Sequence, residues 1–145
     1  MIALDTNILA RFLLNDDAEQ FRAAWELLSQ PGPYTAPPTV ILELAWVLKI
    51  NGCSREEIAK GLRALIGLPN FIPQQFQAVL YALRWFESGM DFADSLHLAL
   101  TDAEETLMTF DRDYAQAAIR AQAFPEVKVV RHLADIVTKI DEQTL

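Results

Sequence analysis

The sequence predicts an α/β domain folded around a short parallel sheet. Strand-length apolar runs at Met1–Leu4, Leu107–Phe110 and Val127–Val130 alternate with longer stretches whose apolar residues recur at helical spacing. At 145 residues, with 52% apolar and 22% charged, the chain has the size and make-up of one domain (residues 1–145) with a sizeable core. Acidic residues, Asp5 and Asp111, directly follow two of the apolar runs, and open parallel sheets gather their ligands at the carboxyl ends of strands.

Met1–Leu4 reads as a short buried strand. Asp16 or Asp17 caps a helix whose inner face is Ala18, Phe21, Trp25 and Leu28, and Pro31-Gly32-Pro33 ends it. Tyr34–Ala36 reads as a second extended piece, and Pro38 suits the first turn of the helix after it. From Val40 to Leu48 almost every residue is apolar, so that helix is expected to be buried nearly all round until Asn51-Gly52 stops it. Ser54-Arg55-Glu56-Glu57 is a capping box opening a helix with Ile58, Leu62 and Leu65 inward. Phe71-Ile72 reads as a short strand, and a helix over about 74–87 turns Val79, Leu80, Leu83 and Phe86 inward. Gly89 breaks it, Asp91 starts a helix to about Asp102, and another helix runs through Tyr114–Ala121. Ala134–Ile140 closes the chain as a last helix.

The bulk numbers exclude several classes. One cysteine, Cys53, rules out an internal disulfide and a Cys-rich zinc site, and it reads as a small core residue. The first ten residues lack a basic leader, and no apolar run approaches the ~18 residues of a membrane span, so a cytoplasmic protein without a membrane segment is expected. A net charge of −8 argues against a broad basic nucleic-acid platform but not against a metal nuclease, whose carboxylates are offset by the ion in use.

Four acidic stations then carry the chemistry. Asp5 follows the first strand, where it caps the next helix or belongs to a site. Glu43 sits among Val40, Ile41, Leu42, Leu44, Ala45, Trp46 and Val47, where an unpaired carboxylate costs several kcal/mol unless something binds it. Asp91 and Asp94, spaced i, i+3, share the first turn of one helix, a pattern that capping and the helix dipole also explain. Asp111 follows the strand at Leu107–Phe110, with Thr109 able to orient it, and ranks above Asp113. Hard oxygen donors from separate elements point to one shared cation, Mg²⁺ or Mn²⁺. His97, amid Leu96, Leu98 and Leu100, reads as a core or interface residue rather than a general base, and Trp25, Trp46 and Trp85 as core or interface rather than base-stacking surface.

Taken in order, Leu4-Asp5-Thr6-Asn7 through Leu13, then Glu43, then Asp91-Phe92-Ala93-Asp94-Ser95-Leu96-His97, then Thr109-Phe110-Asp111-Arg112-Asp113-Tyr114 resemble a PIN-domain protein over nearly the whole chain. Within that superfamily the chain resembles the VapC-type toxins. The resemblance implies a Rossmann-like α/β/α sandwich and a Mg²⁺- or Mn²⁺-dependent endoribonuclease that leaves 5′-phosphate and 3′-hydroxyl ends. It implies Asp5, Glu43, Asp94 and Asp111 as the acidic quartet, with Asp5 and Asp94 the principal ligands and Glu43 and Asp111 binding directly or through water. Thr6, Asn7, Asp91, Thr109 and Asp113 would be supporting residues, and Arg11 would meet a phosphate or a partner carboxylate. It further implies an RNA substrate, a homodimer and a small antitoxin protein that masks the site. A catalytically inactive scaffold binding a protein or RNA is the alternative. A haloacid-dehalogenase-type phosphatase is set aside, because it needs an Asp where Asn7 stands. A receiver domain is set aside because Glu43 does not match its acid pattern.

Overall fold

The computed structural model describes residues 1–144. Strand β1 (Ile2–Ala3) is followed by α1 (Thr6–Leu14) and α2 (Ala18–Leu28), and then by β2 (Tyr34–Thr35), which lies parallel to β1 with Tyr34 opposite Ile2. Next come α3 (Pro38–Ile50), α4 (Arg55–Ile66), α5 (Phe76–Glu87) and α6 (Phe92–Ala99). Strand β3 (Leu107–Thr109) is joined through α7 (Arg112–Arg120) to β4 (Val127–Val129), again in parallel, and α8 (Leu133–Thr144) ends the described chain. Each parallel pair encloses helix, as a parallel connection requires. The α/β class read from the sequence is borne out.

The strands form two parallel pairs, β1–β2 and β3–β4, with Phe71 adding a single bridge to Tyr34. Among the described residues no hydrogen-bonded ladder joins the pairs into one sheet. The run at Phe71-Ile72 contributes that bridge alone, since Pro73 cannot extend a ladder. The strands are two or three residues long, so side-chain packing rather than the ladders holds the layers together.

Two apolar clusters do this. The larger one buries Leu9, Ile41, Leu44, Leu62, Leu65, Phe71, Leu83 and Leu96 between α1, α3, α4, α5 and α6. The smaller one joins Trp85, Met90, Leu98, Tyr114 and Ala118, where α5 and α6 meet α7. Caps set the helix starts. The Asp17 carboxylate accepts from the Gln20 amide. In the Ser54–Glu57 box, the Ser54 hydroxyl accepts from the Glu57 amide and the Glu57 carboxylate from the Ser54 amide. No helix among the described residues is long and apolar enough to cross a membrane.

Helix α3 departs from expectation. Ile41, Leu44, Ala45 and Leu48 are buried, but Trp46 and Ile50 are each 59% exposed and Glu43 is exposed as well. At 100° per residue, positions 43, 46 and 50 stack on the side opposite 41, 44, 45 and 48. The near-continuous apolar run concealed this wet side, because Trp46 and Ile50 are apolar residues standing on it.

Candidate active site

Asp5 immediately follows β1 and caps α1. Its Oδ1 accepts the Thr6 amide at 2.6 Å, and the residue is exposed. Thr6 is only 2% exposed, and its hydroxyl has no partner among the described residues, so the main-chain amide rather than the side chain holds Asp5. Asn7 is exposed. Arg11 reaches Asp16, with Nη1 2.5 Å from one carboxylate oxygen and 2.6 Å from the other. That guanidinium is therefore already engaged by a carboxylate of its own chain.

Asp91 caps α6, its Oδ2 accepting the Asp94 amide at 3.1 Å. The Ser95 hydroxyl, fully buried, donates to the Asp91 carbonyl at 2.8 Å and fixes the same turn. Asp94 projects from that turn, half-buried. Its carboxyl is pushed above the usual range first by burial and then by the negative charges of Asp91 and Asp111, with His97 opposing the shift. His97 is exposed rather than in the core, one turn along α6 from Asp94. The spacing that brings it over Asp94 also turns it away from the packed side carrying Leu96 and Leu98.

Asp111 caps α7. Its Oδ1 accepts amides from Asp113 at 2.9 Å and Tyr114 at 3.3 Å, while the Thr109 hydroxyl accepts the Asp111 amide at 3.0 Å, the orienting bond expected of Thr109. Asp113 is exposed and does not cap the helix. Tyr114 is buried, and its hydroxyl donates to the Asp94 carbonyl at 2.9 Å, tying α7 to α6. Burial, and after it the charges of Asp94 and Asp91, push its phenol up to about 12.

Two positioning residues escaped the sequence. Tyr114 could have been noticed three residues after a capping Asp. Arg55 could not, because its targets lie 31 and 35 residues away: Nη2 donates to the carbonyls of Phe86 and Met90, both at 2.8 Å, and the guanidinium stands 4.3 Å from the Phe86 ring centre. Met90 directly precedes Asp91, so Arg55 anchors the loop that starts α6.

The structure thus brings Asp91, Asp94 and Asp111 into one electrostatic field. The other two members of the quartet come from different elements, Asp5 from the cap of α1 and Glu43 from the middle of α3. Glu43 stands on the wet side of α3, which corrects the expectation of a carboxylate trapped among apolar neighbours; solvent removes that cost. Asp5 follows β1 and Asp111 follows β3, strands that belong to separate pairs. Among the described residues no three His, Cys, Asp or Glu side chains approach closely enough to hold a metal. The donors suit Mg²⁺ or Mn²⁺ in kind: hard oxygens, one carboxyl with like charges beside it, and an orphaned buried hydroxyl next to Asp5. Their positions supply only part of a coordination shell.

A family model described as PIN domain matches residues 2–120, a span that includes Asp5, Glu43, Asp94 and Asp111. No curated protein and no solved structure matches the chain. PIN domains are in general nucleases and generally use divalent metal ions.

Proposed function

Because the chain belongs to the PIN domain family, we propose that it is a metal-dependent endoribonuclease and the toxin of a type II toxin–antitoxin pair. The observation that carries the reading is the placement of Asp94, half-buried in the first turn of α6 that Asp91 caps: burial first, and then the charges of Asp91 and Asp111, disfavour its lone negative charge, a setting that favours a cation. Asp94 and Asp5 are the principal ligands in this reading, with Glu43 and Asp111 completing the set directly or through water. A bound Mg²⁺ or Mn²⁺ supplies a water of lowered pKa and offsets charge on the phosphodiester undergoing in-line displacement.

The chain's own residues have defined tasks around that chemistry. Asp5, Asp91 and Asp111 each take amide donors at a helix start, which holds negative charge in place while leaving the second oxygen available. Thr109 and Tyr114 fix Asp111 and the first turn of α6 relative to each other. Arg55 fixes the preceding loop. On this reading Asp5 joins the set from the start of α1 and Glu43 from α3.

A homodimer, and an antitoxin with a basic segment over the acids, belong to the same reading, and the −8 charge favours such a partner. The test is cleavage of a structured RNA panel with Mn²⁺ or Mg²⁺, alongside induction in cells with RNA ends mapped. Wild-type protein should cut, and chelator, Asp94→Asn and Asp5→Asn should each abolish cutting. A wild-type chain that binds RNA or a partner yet never cuts, with either metal, would leave the scaffold reading standing instead.

A further inference from the structure

Beside the acids, a cavity of about 310 Å³ opens between α3, α4 and the start of α6. Its walls include Leu42, Trp46 and Phe92, and its polar groups are Lys49, Arg55 and Asp91. Two of the elements that frame it also carry candidate acids: Glu43 lies one turn before Trp46 on α3, and Asp94 lies beside Phe92 and Ala93 on α6. We propose that this cavity receives one unstacked nucleobase of the RNA strand, with Trp46 as the stacking wall and Lys49 and Arg55 drawing in the flanking phosphate. The proposal rests on the nuclease reading above and adds to it where the substrate is gripped.

Three observations favour a nucleotide over a peptide or a second copy of this chain. The first is shape and lining: an apolar slot bounded by aromatic rings, with a few polar groups, suits a flat base. Trp46, at 59% exposed, presents a ring with no aromatic partner among the described residues, whereas Trp85 is 2% exposed and Trp25, though 54% exposed, packs on Phe12 and Phe21. The second is charge. In a chain of net charge −8, Lys49 and Arg55 form no ion pair among the described residues; Arg11 and Arg63 are taken by Asp16 and Glu87. Arg55 spends Nη2 on two neutral carbonyls, so its positive charge is not cancelled. The third is position. The opening is lined by Asp91 and lies on the helices that carry Glu43 and Asp94, so a base turned out of the stack there would fix the register of a cut made at those acids.

The decisive experiment measures binding without cleavage. The full chain in chelator is titrated with short oligoribonucleotides of each base, following tryptophan fluorescence and the anisotropy of a labelled strand. Quenching is expected in wild-type protein and in Trp25→Phe, and it should disappear in Trp46→Phe, in which the Phe ring keeps most of the binding. Trp46→Ala should bind about tenfold more weakly, as loss of one base–aromatic stack predicts. Circular dichroism confirms that these surface variants are folded. Quenching that persists in Trp46→Phe, or Trp46→Ala binding like wild type, overturns the proposal. So does a Trp46→Ala change that alters only the oligomeric state, which would assign the surface to a protein partner. The two readings fail separately. Oligonucleotide quenching of Trp46 in a chain that cuts no RNA keeps the base pocket and sinks the nuclease. Metal-dependent cutting with unaltered kcat/KM in Trp46→Ala does the reverse.

Discussion

Replacing Arg55 by Met should destabilise the protein by about 2 kcal/mol, although the residue stands at the surface and pairs with no carboxylate. Its Nη2 bonds the Phe86 and Met90 carbonyls, and hydrogen bonds to a charged group contribute about 1.5 kcal/mol each at the low end of their range. The guanidinium lies 4.3 Å from the Phe86 ring centre, which adds about 0.5 kcal/mol at an exposed site. The Phe86 carbonyl also receives the Gly89 amide, so it is not left empty, and water reaches the arginine. Both facts lower the total to about 2 kcal/mol. For a chain of this length that is a fall in Tm of about 5 °C. The assay is urea unfolding in chelator, followed by circular dichroism. The midpoint should drop with the slope unchanged, since the surface exposed on unfolding is the same. Arg55→Lys should recover only part, because a point charge cannot reproduce the planar fork. A shift below about 0.5 kcal/mol for Arg55→Met would refute the claim that this arginine anchors the start of α6.

Tyr114→Phe removes the bond to the Asp94 carbonyl and should cost about 1 kcal/mol; in wild-type protein one tyrosine should titrate near 12 by ultraviolet absorbance, and that signal should be absent from the variant. Asp94 has a folded-state pKa above its unfolded one, so its contribution is fully present below the unfolded pKa and is lost as pH rises through the folded pKa. In chelator, Asp94→Asn should therefore be more stable than wild type at neutral pH, and the gap should close on acidification; a gap that widens in acid contradicts the burial and charge argument. Mn²⁺ at about one hundred times its Kd should raise wild-type stability by about 2.7 kcal/mol. Asp94→Asn should abolish that gain and Asp113→Asn should leave it largely intact, with differential scanning fluorimetry as the readout.

Much of the fold was legible because local signals were unambiguous. The Ser54–Glu57 box, the cap at Asp91 and the breaks at Gly52 and Gly89 each rest on residues within four positions of one another, whereas the sequence left Asp16 or Asp17 open as the cap of α2, and Asp17 holds it. What failed was orientation. A helix as apolar as α3 carries little amphipathic contrast, so nothing in its sequence says which side meets water, and Glu43 was assigned to the wrong one. The core reading of His97 failed for a related reason: leucines on either side of a residue in sequence lie 100° away from it on a helix. The division into two strand pairs was hidden as well, because runs of two or three residues specify a strand but not its neighbour.

The capping role of the acids, which looked like a rival to a functional role, supports it. Concentrating carboxylates costs energy that donors at helix starts offset, and Asp5, Asp91 and Asp111 each accept amides there. Each bond uses one oxygen, so the caps hold charge without consuming it. Asp94 is different: it accepts no such bond, is half-buried, and sits in the field of two of the capping acids. The caps therefore have amide donors of their own, whereas Asp94, still reached by solvent, has none among the described residues. That asymmetry ranks the acids in a way that spacing alone could not. It makes Asp94 the residue whose neutralisation most relieves the metal-free fold, and the one whose loss most weakens the hold on an ion.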